Sequence, residues 1–556
     1  MNVVTATKGS NAAVTIVDNV PRDSQGSREI GFSVPDRYNA SDILFDNLDA
    51  GRGDRPAVIG AFGVRNYRDL CADASRYGNA LVRAGLQKGD RVLLFLDDGP
   101  AYPAALFGAI RAGFVPILIN TLTPPDLLNF YLADSSAKVA VVEASHVSTF
   151  DETARKGTAL EQLVIVGANT PTVSSIFEQA FLQDCSATLE AAPTTRDDMC
   201  FWQYSSGSTG RPKGIVHLQH DMLYTAESYG KHVLKISEND ICFSVPKIFF
   251  AYGLGNSLTF PFYVGAASIL LSGQPRAKPV LEAITKHRPT IFFGLPTLYN
   301  SLVNSDEVSG ADFSSIRLCL SAAEVLSPEV AEAWKSLSGH NIVEGLGSTE
   351  VLHIYLSNTP EQRKIGAAGI RVPGYEIMLK DLDGNEVADE EQGVLWVRGD
   401  SNAPAYWNRP DKTADTMRAD GWIYTGDRMM RDQDGFYHFL GRADDLVKVS
   451  GQWVYPLEVE LCVTDHPLVR ECAVLALEMA DRRMTLQAYV VLNEPSENKA
   501  ETAALLKDYV KKKLLPYKYP RTVVFLDSLP KTGTGKIDRQ ALKASDLSNI
   551  PRVTCM

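Results

Sequence analysis

The segment Tyr204-Ser-Ser-Gly-Ser-Thr-Gly-Arg-Pro-Lys-Gly214 follows an apolar strand-like run, Cys200-Phe-Trp-Gln-Tyr204. It packs three glycines, three serines, one threonine, one arginine and one lysine into eleven positions. Small residues let a backbone come close to a ligand, and their N–H groups, the hydroxyls and an ammonium can together wrap a phosphate. The spacing is not that of a Walker A loop, because Lys213 stands between Pro212 and Gly214. Judged alone, the segment fits two readings, a phosphate cradle or a polar surface loop. His217 and His220, in His-Leu-Gln-His just downstream, could suggest a metal pair. No third ligand is in view, so structural histidines are expected. The eight cysteines include no C-x-x-C pair, which leaves zinc-ribbon and thioredoxin chemistry without a foothold. At this density a disulfide framework is not expected.

Four further segments carry chemistry: Gly345-Leu-Gly-Ser-Thr-Glu350, Tyr424-Thr-Gly-Asp427, Gly441–Glu460 (GRADDLVKVSGQWVYPLEVE) and Pro530-Lys-Thr-Gly-Thr-Gly-Lys536. With the first segment, and in this order, they resemble the adenylate-forming superfamily of acyl-CoA synthetases, peptide-synthetase adenylation domains and luciferases. The resemblance runs from residue 40 to residue 540. It implies that ATP, Mg2+ and coenzyme A serve a two-step reaction. A carboxylate attacks the α-phosphate with pyrophosphate leaving, and the acyl group then passes to a thiol. Such a catalyst must offset the triphosphate charge and hold both reactants in line.

By that resemblance Ser205, Ser206, Gly207, Ser208, Thr209, Gly210 and Lys213 hold the β- and γ-phosphates, and Thr349 bonds the α-phosphate. Glu350 helps hold Mg2+, a hard cation that takes oxygen ligands. Standing alone, Glu350 would equally suit a helix start and Asp427 a turn. Asp427 resembles the acid that accepts from both ribose hydroxyls, and Arg442 the nucleotide-contacting arginine at a domain junction. Lys536 resembles the catalytic lysine that bridges carboxylate and α-phosphate. Asp444 matches a hinge about which the small domain rotates, switching one site between two chemistries. Gly451, with Trp453 close by, would line the pantetheine tunnel. Lys511–Lys513 could meet the 3′-phosphate of CoA, although a solvated helix face is expected. Acetylation of Lys536 would remove its charge, which makes a lysine acetyltransferase a candidate partner; a homodimer stays open.

Within the superfamily the chain resembles the benzoate-CoA ligase group, through Lys247–Leu258 (KIFFAYGLGNSL), Ser321–Glu324 (SAAE) and Gly347–Asn358 (GSTEVLHIYLSN). This implies an acyl pocket lined by Ala251, Tyr252, Ala322, Gly347, His353 and Ile354. Bulky Tyr, His and Ile would close a short flat slot, and small residues would let a ring lie against backbone. Ala323 stands where the group often has glycine, so the slot wall is expected to differ. His353 alone would fit a satisfied structural histidine equally well. The implied activity is adenylation of benzoate or a close hydroxy or amino analogue, then transfer to CoA. The alternatives are a medium-chain aliphatic acid, a carrier-protein pantetheine as acceptor, or a non-catalytic scaffold. Intact Lys213, Glu350, Asp427 and Lys536 argue against the scaffold.

The elements that must position these residues follow from pattern. Of the 556 residues 45% are hydrophobic, enough for substantial cores and too many for a disordered chain. The net charge of −12 opposes a nucleic-acid partner, while a few local cations still suffice for a phosphorylated ligand. Tyr67–Ala84 and Ala101–Arg111 read as helices. Strands are predicted at Arg91–Leu96, Val115–Ile119, Lys138–Val142, Leu163–Val166, Ala267–Leu271, Thr290–Phe293, Ile316–Leu320 and Ile342–Gly345. Apolar strands separated by helices predict an α/β fold with mainly parallel sheets. Residues 373–440 read as a β-rich subdomain. After it come predicted helices Leu457–Thr464 and Thr502–Lys513 and strands Glu471–Ala476, Leu486–Val491 and Thr522–Phe525. The expected domains are a large one, 1–441, holding the 204–214 loop, and a small mobile α+β one, 442–556, with its hinge near 442–445 and the lysine loop at 530–536. Residues 1–30 read as a loose arm without a signal peptide. The best membrane candidate, Ala104–Ile119, is too short to span, and a cytoplasmic location is expected.

Overall fold

The computed structural model describes residues 29–556 apart from 168–174, 206–211, 382, 444–446, 450, 451, 455, 479–483, 497, 516, 517, 532–536, 545–551, 555 and 556. The chain divides into two compact units, 1–378 with 396–425, and 379–395 with 426–556. The arm expected over 1–30 lies almost wholly outside the described residues, as do Asp444 and Asp445 of the expected hinge.

The first unit is α/β. One sheet has eight strands, in the order Ala405–Tyr406, Lys213–Leu218, Met199–Ser205, Val115–Leu118, Arg91–Phe95, Val139–Glu143, Gln162–Val166, Ser175–Phe177. From Met199–Ser205 to Ser175–Phe177 neighbours are parallel, and the two pairings at the other end are antiparallel. The second sheet has nine strands. Its parallel centre runs Pro56–Gly60, Ala267–Ile269, Ile241–Ser244, Ile291–Gly294, Leu318–Ala322, Ile342–Gly347. Antiparallel Gly63–Asn66 closes one edge, and Ile354–Ser357 and Ile370–Arg371 close the other.

Parallel strands read as continuous apolar runs because helices cover both faces. Helix Tyr67–Arg83 starts where Asn66 accepts from the Asp69 N–H at 2.8 Å. It buries Leu70, Ala74, Tyr77 and Leu81 at helical spacing, beside helix Ala101–Arg111. That core also takes in Val92 and Leu94 of the first sheet and Ala57 and Val58 of the second. A shared core of this kind fixes the two sheets relative to each other, and the site draws residues from both.

Helix Ala101–Arg111 and strand Thr522–Phe525 coincide with the sequence expectation, and most other ends move by a residue or two. One shift matters. The strand predicted at Ile316–Leu320 is Leu318–Ala322, because pairing with Ile291–Gly294 begins at Leu318, and this carries Ala322 onto the sheet. The pattern gave no elements over 219–264, where the chain forms helix Asp221–Thr225, π-helical Ala226–Lys231, strand Ile241–Ser244, helix Ala251–Leu254, π-helical Gly255–Thr259 and helix Phe260–Val264. Every residue of Gly255–Thr259 is buried, so no polar face marks a period.

A four-stranded sheet, order Glu376–Lys380, Gln392–Arg398, Ile423–Arg431, Tyr437–Arg442, realises the predicted β-rich segment, and the division between units falls within its strands. The second unit also contains a six-stranded mixed sheet built on Met484–Leu492, with helices Pro456–Thr464 and Lys499–Lys513. Val459 and Val463 of the first helix pack on Val474, Leu486 and Val490. Glu460 of that helix, the last residue of the GRADD-containing segment, accepts from the Val474 N–H and from Arg539 Nη2, both at 2.8 Å. The seven described cysteines are free thiols. Among the described residues no helix is long and apolar enough to cross a membrane.

Candidate functional site

The glycine- and serine-rich loop closes an antiparallel hairpin. Strands Met199–Ser205 and Lys213–Leu218 pair so that Ser205 faces Lys213 and Tyr204 faces Gly214. Ser206, Gly207, Ser208, Thr209 and Gly210 lie outside the described residues, but the two ends of their loop stand side by side. Tyr204 donates to Asp134 Oδ2 at 2.8 Å, and the Trp407 N–H donates to the Gly214 carbonyl at 2.7 Å. The Lys213 Nζ lies 4.1 Å from the ring centre of Tyr406.

Thr349 and Glu350 occupy a short 3-10 turn, Thr349–Val351, directly after strand Ile342–Gly347. Its three carbonyls are each held. His217 Nε2 lies 2.9 Å from the Thr349 oxygen, the Ala403 N–H donates to Glu350 at 2.8 Å, and Ser401 Oγ donates to Val351 at 2.8 Å. The Glu350 carboxylate accepts from the Tyr406 hydroxyl on Oε1 at 2.8 Å. Glu350 therefore caps no helix; it is aimed by a tyrosine from another strand. Among the described residues nothing bonds its second oxygen, which leaves a hard oxygen donor suited to Mg2+.

His217 is fully buried, with Nδ1 2.9 Å from Asp221 Oδ2, an oxygen that also accepts the Leu218 N–H at 3.0 Å. His220 is buried between the carbonyls of Arg196 and Asp400, at 2.7 and 2.6 Å. Both rings of His-Leu-Gln-His are thus engaged by protein groups, and His217 reaches the Thr349 turn.

The six expected pocket residues come together in the first unit. Ala322 pairs with Gly345 and Gly347 pairs with Ile354 on adjacent strands. The His353 ring lies 5.4 Å from that of Tyr252, centre to centre, and 4.5 Å from Phe260. Ala251 opens the helix that carries Tyr252. A Cβ on Gly347 would sit 2.4 Å from the His353 carbonyl oxygen and 2.9 Å from Ile354 Cα, so the strands meet this closely only with glycine. His353 is not a satisfied structural histidine. Among the described residues its Nδ1 is buried without a partner, and Nε2 finds only the Tyr252 carbonyl at 3.4 Å. Burial pushes its pKa down to about 3, so the ring is neutral at physiological pH. Both π-helical segments reach this ring, through Tyr229 at 5.4 Å between centres and through the close approach of Gly255. Such segments are frequent at functional sites. Exposed Ala323, beside this wall, holds φ +73°.

In the second unit Asp427 and Arg442 face each other across strands Ile423–Arg431 and Tyr437–Arg442, and Arg442 Nη1 donates to Asp427 Oδ1 at 2.8 Å. Gly426 has φ +72°, and a Cβ there would meet Arg442 Nη2 at 2.7 Å, so glycine makes room for the guanidinium. Asp427 is thus an ion-pair partner rather than only a turn former. Lys536, Asp444 and Gly451 lie outside the described residues. The Trp453 backbone belongs to strand Gln452–Val454. Lys511 and Lys513 end helix Lys499–Lys513 and pair with Asp508 and Asp465, as a solvated face would. Tyr406, Ser401 and Asp221, the partner of His217, escaped the sequence reading. Tyr406 sits in a two-residue strand, too short for any period.

Residues 45–407 match the AMP-binding enzyme family, and residues 458–536 match the AMP-binding enzyme C-terminal domain. The chain belongs to the AMP-binding enzyme family. Benzoate–CoA ligase of Thauera aromatica is 43% identical over 517 residues, covering 92% of this chain and 97% of that protein. Two solved structures are similar throughout. An anthranilate CoA ligase in complex with anthranoyl-AMP has TM-score 0.86 and 37% identity, over 92% of this chain and 98% of that one. A benzoate CoA ligase from Burkholderia xenovorans LB400 has TM-score 0.84 and 38% identity, over 91% and 99%.

Proposed function

We propose that this protein is an ATP-dependent acid–thiol ligase. It adenylates an aromatic carboxylate, benzoate or a close hydroxy or amino analogue, to aryl-AMP and pyrophosphate. It then passes the aryl group to coenzyme A, giving aryl-CoA and AMP. The observation that carries this reading is the continuity of strand Ile342–Gly347, turn Thr349–Val351 and strand Ile354–Ser357. One stretch of backbone carries Glu350 and Thr349 beside Gly347, His353 and Ile354, and the His353 ring meets that of Tyr252. The benzoate and anthranilate ligases similar to this chain support an aryl acid over an aliphatic one.

In the first step Lys213 and the hydroxyl-bearing loop hold the β- and γ-phosphates, and Thr349 bonds the α-phosphate, so that the carboxylate lies in line behind it. Glu350 would hold Mg2+, which when bound supplies charge neutralisation on the polyphosphate. Asp427, fixed by Arg442, accepts from the ribose hydroxyls, and Lys536 steadies the carboxylate against the α-phosphate. The flat slot orients the ring, and its neutral His353 brings no charge against the substrate's own. In the second step a domain of residues 442–556 turns about Asp444, withdraws Lys536, and brings Gly451 and Trp453 to line the path of the CoA thiol. ATP and CoA as cosubstrates support a cytoplasmic location. The test is pyrophosphate release over a panel of aromatic and aliphatic acids, with and without CoA. Release with benzoate-type acids and thioester only with CoA is expected; absence of release with every acid refutes the reading.

A further inference from the structure

Tyr406 touches two groups that the proposed chemistry uses, and it brings them together from two different sheets. Strand pairing sets Tyr406 opposite Ile215, and Lys213, two residues along, shares that face of its strand. The Tyr406 ring is buried, with its face 4.1 Å from Lys213 Nζ, while its hydroxyl donates to Glu350 Oε1 at 2.8 Å. The next residue fixes the strand. Trp407 donates its backbone N–H to Gly214 at 2.7 Å and its indole N–H to the Asp134 carbonyl at 2.9 Å, and its ring lies 4.2 Å from Trp202. Neither contact of Tyr406 neutralises its partner. An aromatic face attracts an ammonium and leaves its charge in place. A phenol O–H engages one carboxylate oxygen and leaves the other for a cation.

We propose that Tyr406 is a positioning residue with two separable tasks. Its ring face holds Lys213 for the polyphosphate of ATP, and its hydroxyl holds Glu350 for Mg2+. This rests on the function proposed above and assigns a residue that function does not name. The test is calorimetric ATP binding to the full-length protein, in EDTA and across a magnesium titration, for wild type, Tyr406→Phe, Tyr406→Leu, Glu350→Gln and the Tyr406→Phe/Glu350→Gln double variant. Tyr406→Phe keeps the ring face. It should bind ATP in EDTA within about twofold of wild type but need about tenfold more magnesium for the same gain in affinity. Adding Tyr406→Phe to Glu350→Gln should cost nothing more, since both act on one metal contact. Tyr406→Leu should also lose about fivefold or more in EDTA. The pair of variants at Glu350 decides the hydroxyl's task even if Tyr406→Leu fails to fold. Wild type that binds ATP while Tyr406→Phe keeps the full magnesium response overturns this assignment alone. Equal losses for Phe and Leu in EDTA also overturn it, because they put the effect on packing. Wild type that binds no ATP overturns both the assignment and the function beneath it.

Discussion

Replacing His217 with alanine should loosen the Thr349–Val351 turn and destabilise the first unit. His217 and Asp221 are both fully buried, and the imidazole joins Asp221 Oδ2 to the Thr349 carbonyl, each at 2.9 Å. Truncation leaves the carboxylate with the Leu218 N–H and the more distant His220, whose Nε2 lies 3.4 Å from Oδ1. Breaking a buried pair in this way costs about 3–5 kcal/mol. The orphaned Thr349 carbonyl adds about 1–3 kcal/mol. The lost stacking on Phe201, whose ring centre is 5.0 Å away, adds about 1 kcal/mol. These terms share partners and do not add, so the expected total is about 4 kcal/mol. Asp221→Asn keeps the shape and an oxygen for both donors, and should cost only about 1–2 kcal/mol. The decisive variant is the double one. With the stranded charge removed, His217→Ala/Asp221→Asn should be about 1–2 kcal/mol more stable than His217→Ala alone. Urea unfolding followed through the tryptophans of the first unit, Trp202, Trp334, Trp396, Trp407 and Trp422, reads these differences. A loss below about 1 kcal/mol for His217→Ala, or a double variant as unstable as the sum of the singles, would refute the reasoning.

Other outcomes follow from the same structure. Ala323 is exposed at φ +73°, so Ala323→Gly should relieve about 1–2 kcal/mol of left-handed strain. After the entropy of an added glycine it should net about 0.5 kcal/mol of stabilisation in urea unfolding. Burial raises the Glu344 pKa from 4.5 to about 7, so the folded state binds that proton more tightly than the unfolded chain. Stability from this group is complete below pH 4.5, falls as pH rises to 7, and changes no further above that, by at most about 3 kcal/mol. Glu344→Gln should therefore gain on wild type between pH 5 and pH 8, and a pH-independent difference would count against it. Lys536→Ala should abolish adenylation and leave thioester formation from supplied benzoyl-AMP largely intact, and equal loss of both half-reactions would refute that division of labour.

Much of this fold was legible because its strands are buried on both faces and its helices are amphipathic. Arg91–Phe95 and Tyr67–Arg83 are examples. The helices over 219–264 were not, since helices buried on nearly every side carry no polar period. The site shows the same split. Ser205, Lys213, Thr349, Glu350 and the pocket residues belong to contiguous motifs that a resemblance can carry. Tyr406 and Asp221 act through contacts with residues distant in sequence or through a buried pair, and their neighbours Ala405 and Met222 give no hint of either. His353 lay between, because only the structure shows that its Nδ1 has no partner among the described residues. Ala323 was singled out as a departure from the group, and its positive φ supplies a physical reason why glycine suits the position.

The central claim is that the carboxylate attacks the α-phosphate of ATP. It is tested most directly by turning over benzoate labelled with 18O in both carboxylate oxygens, in the presence of ATP, Mg2+ and CoA, and weighing the products by mass spectrometry. Adenylation forms a bond between a carboxylate oxygen and the α-phosphorus, and the thiol later breaks the bond from that oxygen to the acyl carbon. The expected result is AMP that carries one 18O beside benzoyl-CoA that carries the other. Unlabelled AMP, or label recovered in inorganic phosphate with ADP as the nucleotide product, would contradict it.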